Sequence, residues 1–431
     1  MKSLFFNKKV LVEFQKLQFN TKLLVLFPFF LITGPFLSDL IITINSFFFL
    51  YLIYKNKINI FSDFFVKFFL VFYLYLILIS FFSADYLISF KSSVTYLRFL
   101  LFLLSSIYFF KKYEKSLYLF FLSGFICLIV VSIDAIIQFV FGYNILGMSK
   151  IHAYRVSGFF GDELILGSYL SRIFPIFLGL YIYFFGKNNN SKIYVIPFVI
   201  IISIAILISG ERTSLGLFII TLFLCTIILK EFRLLMIKSL IAILSIFIIL
   251  ISSSENIRNR VVHETINQIF VIEKIDKSSE KRIASIKKIN FFSDGHQKHI
   301  LTAYNIFKDN IFIGSGPKTF RVLCYKEEFN VGDGSCTTHP HNIYIQLLAE
   351  TGLIGFLTIL TVFVYIAFKL FQNLFLTKIF NKDEDYYICF LIAGFINLWP
   401  FFPTGNFFNN YFSMFYFLPF IFILLQKTKI Q

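Results

Sequence analysis

Histidines and arginines at the edges of apolar runs carry the chemistry that this sequence could do. His339 and His341 stand in HPHNIYIQLLAETGLIG, residues 339–355, where a polar stretch enters an apolar one. An imidazole, whose unperturbed pKa is about 6.5, suits proton abstraction from a hydroxyl near neutral pH. His341 is the candidate base, with His339 and Asn342 beside it to contact a substrate. The plainer reading is a polar helix entry in which Asn342 caps the helix. Arg212, in SGERTSL at 209–215, opens another apolar run. A guanidinium there, beside exposed helix amides, suits an anion such as a diphosphate. Arg98 and Arg155 are second choices for that task, and contact with lipid headgroups is their alternative. Lys318 and Arg321 flank the Gly314-Ser315-Gly316 turn in GSGPKTF and could form another anion cradle or an ordinary loop turn.

The next helix sets how Glu350 and Gly352 relate to His341. On a straight helix Glu350 lies about 180° around and about 13 Å deeper than His341, which predicts a buried hydrogen bond to another span. Gly352 returns to within about 20° of His341, and Gly355 lies about 40° to the other side. A glycine strip there predicts close approach of a lipid tail or a neighbouring helix. Cys324 and Cys336 precede His339, and a bridge between them would pin the chain ahead of it. Cys127, Cys225 and Cys389 lie in apolar stretches and read as packing residues. His296, His299, His339 and His341 show no zinc-ligand spacing, so no metal site is expected.

These residues sit in a chain of 431 residues that is 58% hydrophobic and 15% charged, with 64 Phe and mean hydropathy +0.78. That balance excludes soluble enzymes, secreted disulfide scaffolds and disordered tails, and it predicts an all-α polytopic membrane protein. The net charge of +16 is scattered between apolar runs and reads as topology, not as a nucleic-acid patch. Apolar runs near 22–37, 39–54, 64–83, 93–110, 116–141, 163–185, 193–209, 214–229, 237–252, 342–370, 387–402 and 410–426 predict about twelve spans. The first run lacks a small-residue cleavage site and predicts an uncleaved helix. Lys2, Lys55, Lys57, Lys111, Lys112, Lys187, Lys230, Arg233, Lys378 and Lys382 fall with the termini or in alternate short loops, which predicts cytoplasmic termini. Arg98, Arg155 and Arg212 fall with the opposite short loops. The division expected is 1–252, a bundle of about nine helices; 253–340, an outer loop domain; and 341–431, about three further helices. Within the loop, Ile257, Val261, Val262, Ile266 and Ile269 have helical spacing, as do Ile300, Leu301, Tyr304 and Phe307, whereas KSSEKRIASIKKIN reads as a charged linker.

Taken together, the 339–355 string, SGERTSL, GFFGDELILGSYL at 158–170 and GSGPKTFR resemble the O-antigen ligase and O-antigen polymerase superfamily. His341, Asn342 and Gly352 fit the ligase pattern of His, then Asn, Ser or Gln, nine residues, then Gly. Gly355 stands where ligases often carry Thr or Tyr. His296 and His299 stand where many relatives carry an arginine at the start of the loop helix.

The resemblance implies transfer of a glycan from an undecaprenyl diphosphate carrier to a sugar hydroxyl, at the periplasmic face of a bacterial inner membrane, without metal or cofactor. It serves lipopolysaccharide or other surface-polysaccharide synthesis. His341 would deprotonate the acceptor while Arg212, helped by Arg155 or Arg98, holds the diphosphate, and direct displacement would invert the anomeric carbon. Lipid A-core is the ligase acceptor, a second carrier-linked unit the polymerase acceptor, and a protein hydroxyl a third variant. A non-catalytic transporter or flippase of the same lipid is the reading from another class. The polar motifs at one face and the lack of a visible repeat weigh against it.

Overall fold

The structure, a computed structural model, describes residues 8–60, 63–272, 286–289, 292–376 and 384–425. Lys2, Lys378, Lys382 and most of the KSSEKRIASIKKIN stretch lie outside the described residues.

The apolar runs fold as helices, and among the described residues seven are long and apolar enough to cross a membrane, including Tyr86–Lys112, Leu166–Phe185 and Ile343–Phe375. Four shorter apolar helices accompany them: Phe64–Ser80, Arg212–Ile228, Asp385–Asn397 and Asn410–Leu425. The first apolar run folds as two short helices, Phe19–Val25 and Phe27–Ile32, which meet at Leu26. Pro28 supplies no amide to a continuous helix, and Pro35 starts the next one after Gly34 at φ 102°. The Leu166–Phe185 helix is the most enclosed of the long ones. It packs chiefly on Asp385–Asn397, where Arg172 donates to Asn397 Oδ1 at 3.0 Å.

Asp134 and Gln138, buried near the end of the Ser116–Phe141 helix, shape the loop that follows. Asp134 accepts from Ile145 N at 2.9 Å and Asn144 Nδ2 at 3.3 Å, and Gln138 Oε1 accepts from Ser157 N at 3.1 Å and Gly158 N at 2.8 Å. Buried backbone amides need acceptors, so these two side chains fix the path of the loop that carries Arg155.

The long connection contains a helical segment over 255–269, interrupted by a π-turn at Asn259–His263. It also contains a two-stranded antiparallel ribbon, Phe270–Ile272 with Ile286–Ile289, which an all-α reading did not include. The Asp294–Asp309 helix buries Thr302, Ala303 and Ile306, whereas Leu301 and Tyr304 of the expected apolar face are exposed. The small side chains let this helix approach Ile343–Phe375 closely, and the larger apolar face is left free. Residues on the buried side of the same helix include the positions in register with His296 and His299.

Candidate active site

His341 owes its position to backbone clamps. It adopts φ 57°, sparsely populated for a non-glycine residue, immediately before Asn342 caps the Ile343–Phe375 helix. Asn342 Oδ1 accepts from Tyr344 N and Ile345 N at 3.0 and 3.1 Å, and its amide donates to Pro400 O at 2.7 Å. Thr404 N donates to His341 O at 2.8 Å while Thr404 Oγ1 accepts from Ile343 N at 3.0 Å. The connection between the last two helices therefore grips both sides of His341. Asn342 does act as a cap, and the cap is also what holds the histidine in place.

The fold gathers four imidazoles around this point. The His341 ring centroid lies 4.2 Å from that of His339, 5.0 Å from His296 and 5.3 Å from His299. Burial, reinforced by the neighbouring histidines, pushes His341 down to about 3, and burial pushes His339 down to about 4. Burial also lowers His296 and His299. Several imidazoles packed together disfavour one another's charged form, so the cluster is neutral at pH 7. The His296 Nδ1 faces Ser293 Oγ at 2.9 Å, and among the described residues nothing hydrogen-bonds to the His341 ring.

On one side of the histidines lies a cavity of about 270 Å³ lined by His296, Arg212, Thr213, Thr265, Gln268 and Phe402, among others. Arg212 has no carboxylate partner among the described residues. It begins its helix after Glu211, whose carboxylate turns away to cap the adjacent Leu166–Phe185 helix through Gly167 N at 2.6 Å and Ser168 N at 3.0 Å. Arg260, from the first helical segment of the loop, pairs with Glu264 and donates to Gly210 O at 3.1 Å. Arg155 donates to Leu164 O at 3.1 Å and stands within electrostatic reach of Arg260 and Arg212. Arg155, Arg212 and Arg260 thus converge from three connections. Arg260 was missed in the sequence, where its spacing to Glu264 reads as an ordinary helix-surface pair.

Lys318 and Arg321 lie on the other side of the histidines, and Arg98 joins them there. Arg98 is not in a loop; it lies within the Tyr86–Lys112 helix and pairs with Asp39 at 2.9 Å. It stands apart from Arg155 and Arg212 and so does not complete their set. Glu350 also departs from expectation, because its partners lie in the loop and its own helix, not in another span. It accepts from Lys318 N at 2.9 Å, Phe320 N at 3.1 Å and Gln346 Nε2 at 2.9 Å. Gln346 continues the network to Asn406 and Phe407 N, each at 2.9 Å. The disulfide between Cys324 and Cys336 closes the segment after this turn.

Gly352 breaks its helix, with φ 61° and ψ −168°, so angular arithmetic on a straight helix fails from that point. The segment before the turn lies across the break, with Leu353 N donating to Ile311 O at 2.9 Å and Ser315 N to Ala349 O at 3.0 Å. A Cβ on Gly352 would collide with Phe312 O, so the glycine admits loop backbone where a lipid tail or another helix was expected. Gly355 faces Thr351 of its own helix.

Residues 197–360 match the O-antigen ligase family, Wzy_C. The matched stretch contains Arg212, Arg260, all four clustered histidines, Lys318, Arg321 and Glu350, whereas Arg98 and Arg155 precede it. No curated protein matches the chain. Over residues 197–360, which carry the histidines and most of the arginines of the site, this multi-pass membrane chain is similar to the O-antigen ligase family.

Proposed function

We propose that this protein transfers a glycan from an undecaprenyl diphosphate carrier to an acceptor sugar hydroxyl, with His341 as base and Arg212, Arg155 and Arg260 on the diphosphate. The observation that carries this reading is the cavity in which Arg212, without an ion pair among the described residues, meets His296, whose ring lies 5.0 Å from that of His341. The acceptor oxygen forms a bond to the anomeric carbon as the bond to the carrier phosphate breaks. The proton passes to His341, and the negative charge of the departing diphosphate is held by guanidinium groups. Displacement from the opposite face inverts that carbon. Diphosphate leaves readily, so residues alone can supply the chemistry.

A free His341 held down at about 3 is a weak base. An anionic diphosphate brought beside the cluster favours imidazolium and raises that affinity, so the base strengthens only when donor is bound. The twelve-span topology, cytoplasmic termini and periplasmic site in an inner membrane belong to the same proposal. The ligase match favours lipid A-core as acceptor; a second carrier-linked unit would make the protein a polymerase.

The test uses purified protein, carrier-linked glycan and either acceptor, with His341→Ala and Arg212→Gln beside the wild type. Product on lipid A-core or lengthened carrier-linked glycan supports the reading if both variants lose it. Donor binding without transfer to either acceptor would support the transporter instead.

A further inference from the structure

Of the four clustered imidazoles, His296 alone lines the cavity that holds Arg212. His341 stands one ring behind it, with centroids 5.0 Å apart, and the His299 ring lies 6.3 Å away on the same helix. Thr213, Thr265 and Gln268 add polar, uncharged groups to the cavity wall. An anion bound there by Arg212 therefore meets His296 before any other imidazole.

Ser293 holds that ring in place. It occupies the N-cap position of the Asp294–Asp309 helix, where a serine hydroxyl ordinarily accepts from an amide of the first turn, yet it makes no such bond. Its Oγ lies 2.9 Å from His296 Nδ1 instead. The helix forgoes about 1 kcal/mol of capping, and the ring is fixed through one nitrogen only. The other nitrogen, Nε2, has no hydrogen-bond partner among the described residues. An imidazolium carries a proton on both nitrogens, so it can donate from Nδ1 to Ser293 Oγ and from Nε2 to an anion at the same time.

The charges around the ring decide when it is protonated. Arg212 faces it from the cavity, His299 stands on its own helix, and His339 and His341 lie just ahead of Ile343–Phe375. Asp294 of its own helix pairs with Lys298 at 3.3 Å, Glu264 pairs with Arg260, and Phe401, Phe402 and Pro403 bring no charge from the last connection. Among the described residues no carboxylate forms an ion pair with His296. Burial, His299 and Arg212 hold the free ring below its ordinary 6.5, and a place in the first turn of a helix also disfavours a cation. A diphosphate substituted at both ends is fully ionised near neutral pH and takes up no proton itself. Its two negative charges beside the ring reverse the balance.

We propose that His296 is a ligand of the donor diphosphate and binds it as imidazolium, so that each donor bound brings a proton from water into the cavity. This rests on the reading of Arg212 as the donor site. The proton sits on His296, between the phosphates and the other imidazoles. His341, beside that charge and one ring further from the phosphates, stays neutral and able to take the acceptor proton. Donor binding weakens as pH rises through the raised value of the bound ring.

The experiment is calorimetric titration of the full chain in detergent with carrier-linked glycan diphosphate, from pH 6 to pH 8, in buffers of different ionisation enthalpy, which counts the protons taken up. Wild type should take up about half a proton or more per donor near pH 6.5, and its Kd should rise about tenfold between pH 6 and pH 8. His296→Gln should take up none and bind at every pH as weakly as wild type does at pH 8. His296→Arg should bind tightly with a Kd independent of pH, which separates lost charge from lost folding. Ser293→Ala should weaken binding more at pH 6 than at pH 8, a pattern that a merely structural serine would not give. His341→Ala should retain the proton uptake. A wild-type Kd that does not change with pH, uptake that persists in His296→Gln, or uptake lost in His341→Ala would overturn the proposal. Undiminished donor binding by Arg212→Gln, with uptake retained, would instead overturn the reading of Arg212 and leave His296 standing.

Discussion

Replacing Glu350 by Gln separates a positioning role from a chemical one. Glu350 Oε1 accepts from Phe320 N, and Oε2 accepts from Lys318 N and Gln346 Nε2. A glutamine retains one acceptor oxygen. If it stands in for Oε2, Phe320 N faces an amide NH2 and loses its acceptor; the opposite orientation deprives Lys318 N and Gln346. An orphaned buried donor costs about 1–3 kcal/mol, so Glu350→Gln should lose at least that much stability. Glu350→Ala orphans all three donors and should lose more, short of a simple sum. Both variants should loosen the 314–320 turn, increasing its protease cleavage, while Glu350→Gln retains transfer within about tenfold once correctly folded protein is counted. Thermal unfolding and single-turnover transfer on the same preparation measure the two effects. A Glu350→Gln protein with wild-type stability and turn protection, but transfer reduced about a thousandfold, would refute the positioning argument and make Glu350 a participant in the chemistry.

Acid should destabilise the protein through the histidine cluster. His339 and His341 titrate at about 4 and about 3 in the fold, against about 6.5 in an unfolded chain, so the unfolded chain binds more protons between those values. Stability should fall as pH drops from about 6.5 towards 4, by at most about 1.4 kcal/mol per pH unit for each imidazole, and His339→Asn should flatten a plot of melting temperature against pH. Gly352→Ala should cost at least about 1–2 kcal/mol and expose the 310–316 segment to hydrogen exchange, because its left-handed backbone and the adjacent Phe312 O leave no place for Cβ. Reducing the Cys324–Cys336 bridge, or replacing both cysteines by Ser, should cost about 2–4 kcal/mol and lower transfer by freeing the chain ahead of His339. Arg260→Gln should raise donor KM with acceptor KM unchanged, a split that initial-rate kinetics reads directly.

The local features were legible in the sequence because local physics makes them. Arg212 opens a helix, Asn342 caps one, and the apolar runs fold as helices. What the sequence hid are the partners that only the tertiary fold supplies. Asp39 and Arg98 meet from two separate helices, and Lys318 and Phe320 meet Glu350 across the loop. His296 and His299 read as an isolated pair until the loop helix turns them towards His341. The straight-helix geometry used for Glu350 and Gly352 failed because a glycine that resembles a lipid-facing gap is a backbone break that receives the loop. The helical spacing within 300–307 is borne out by Asp294–Asp309, whose buried residues are Thr302, Ala303 and Ile306 while Leu301 and Tyr304 are exposed: next to a membrane, an apolar stripe need not be the buried one.

The central claim is that His341 takes the acceptor proton while Arg212 holds the carrier diphosphate. Its most direct measurement is single-turnover transfer from carrier-linked glycan, with donor binding recorded separately, for wild type, His341→Ala and Arg212→Gln. The account predicts that His341→Ala binds donor normally and transfers nothing measurable, whereas Arg212→Gln loses donor affinity. Transfer by His341→Ala at the wild-type rate would contradict it.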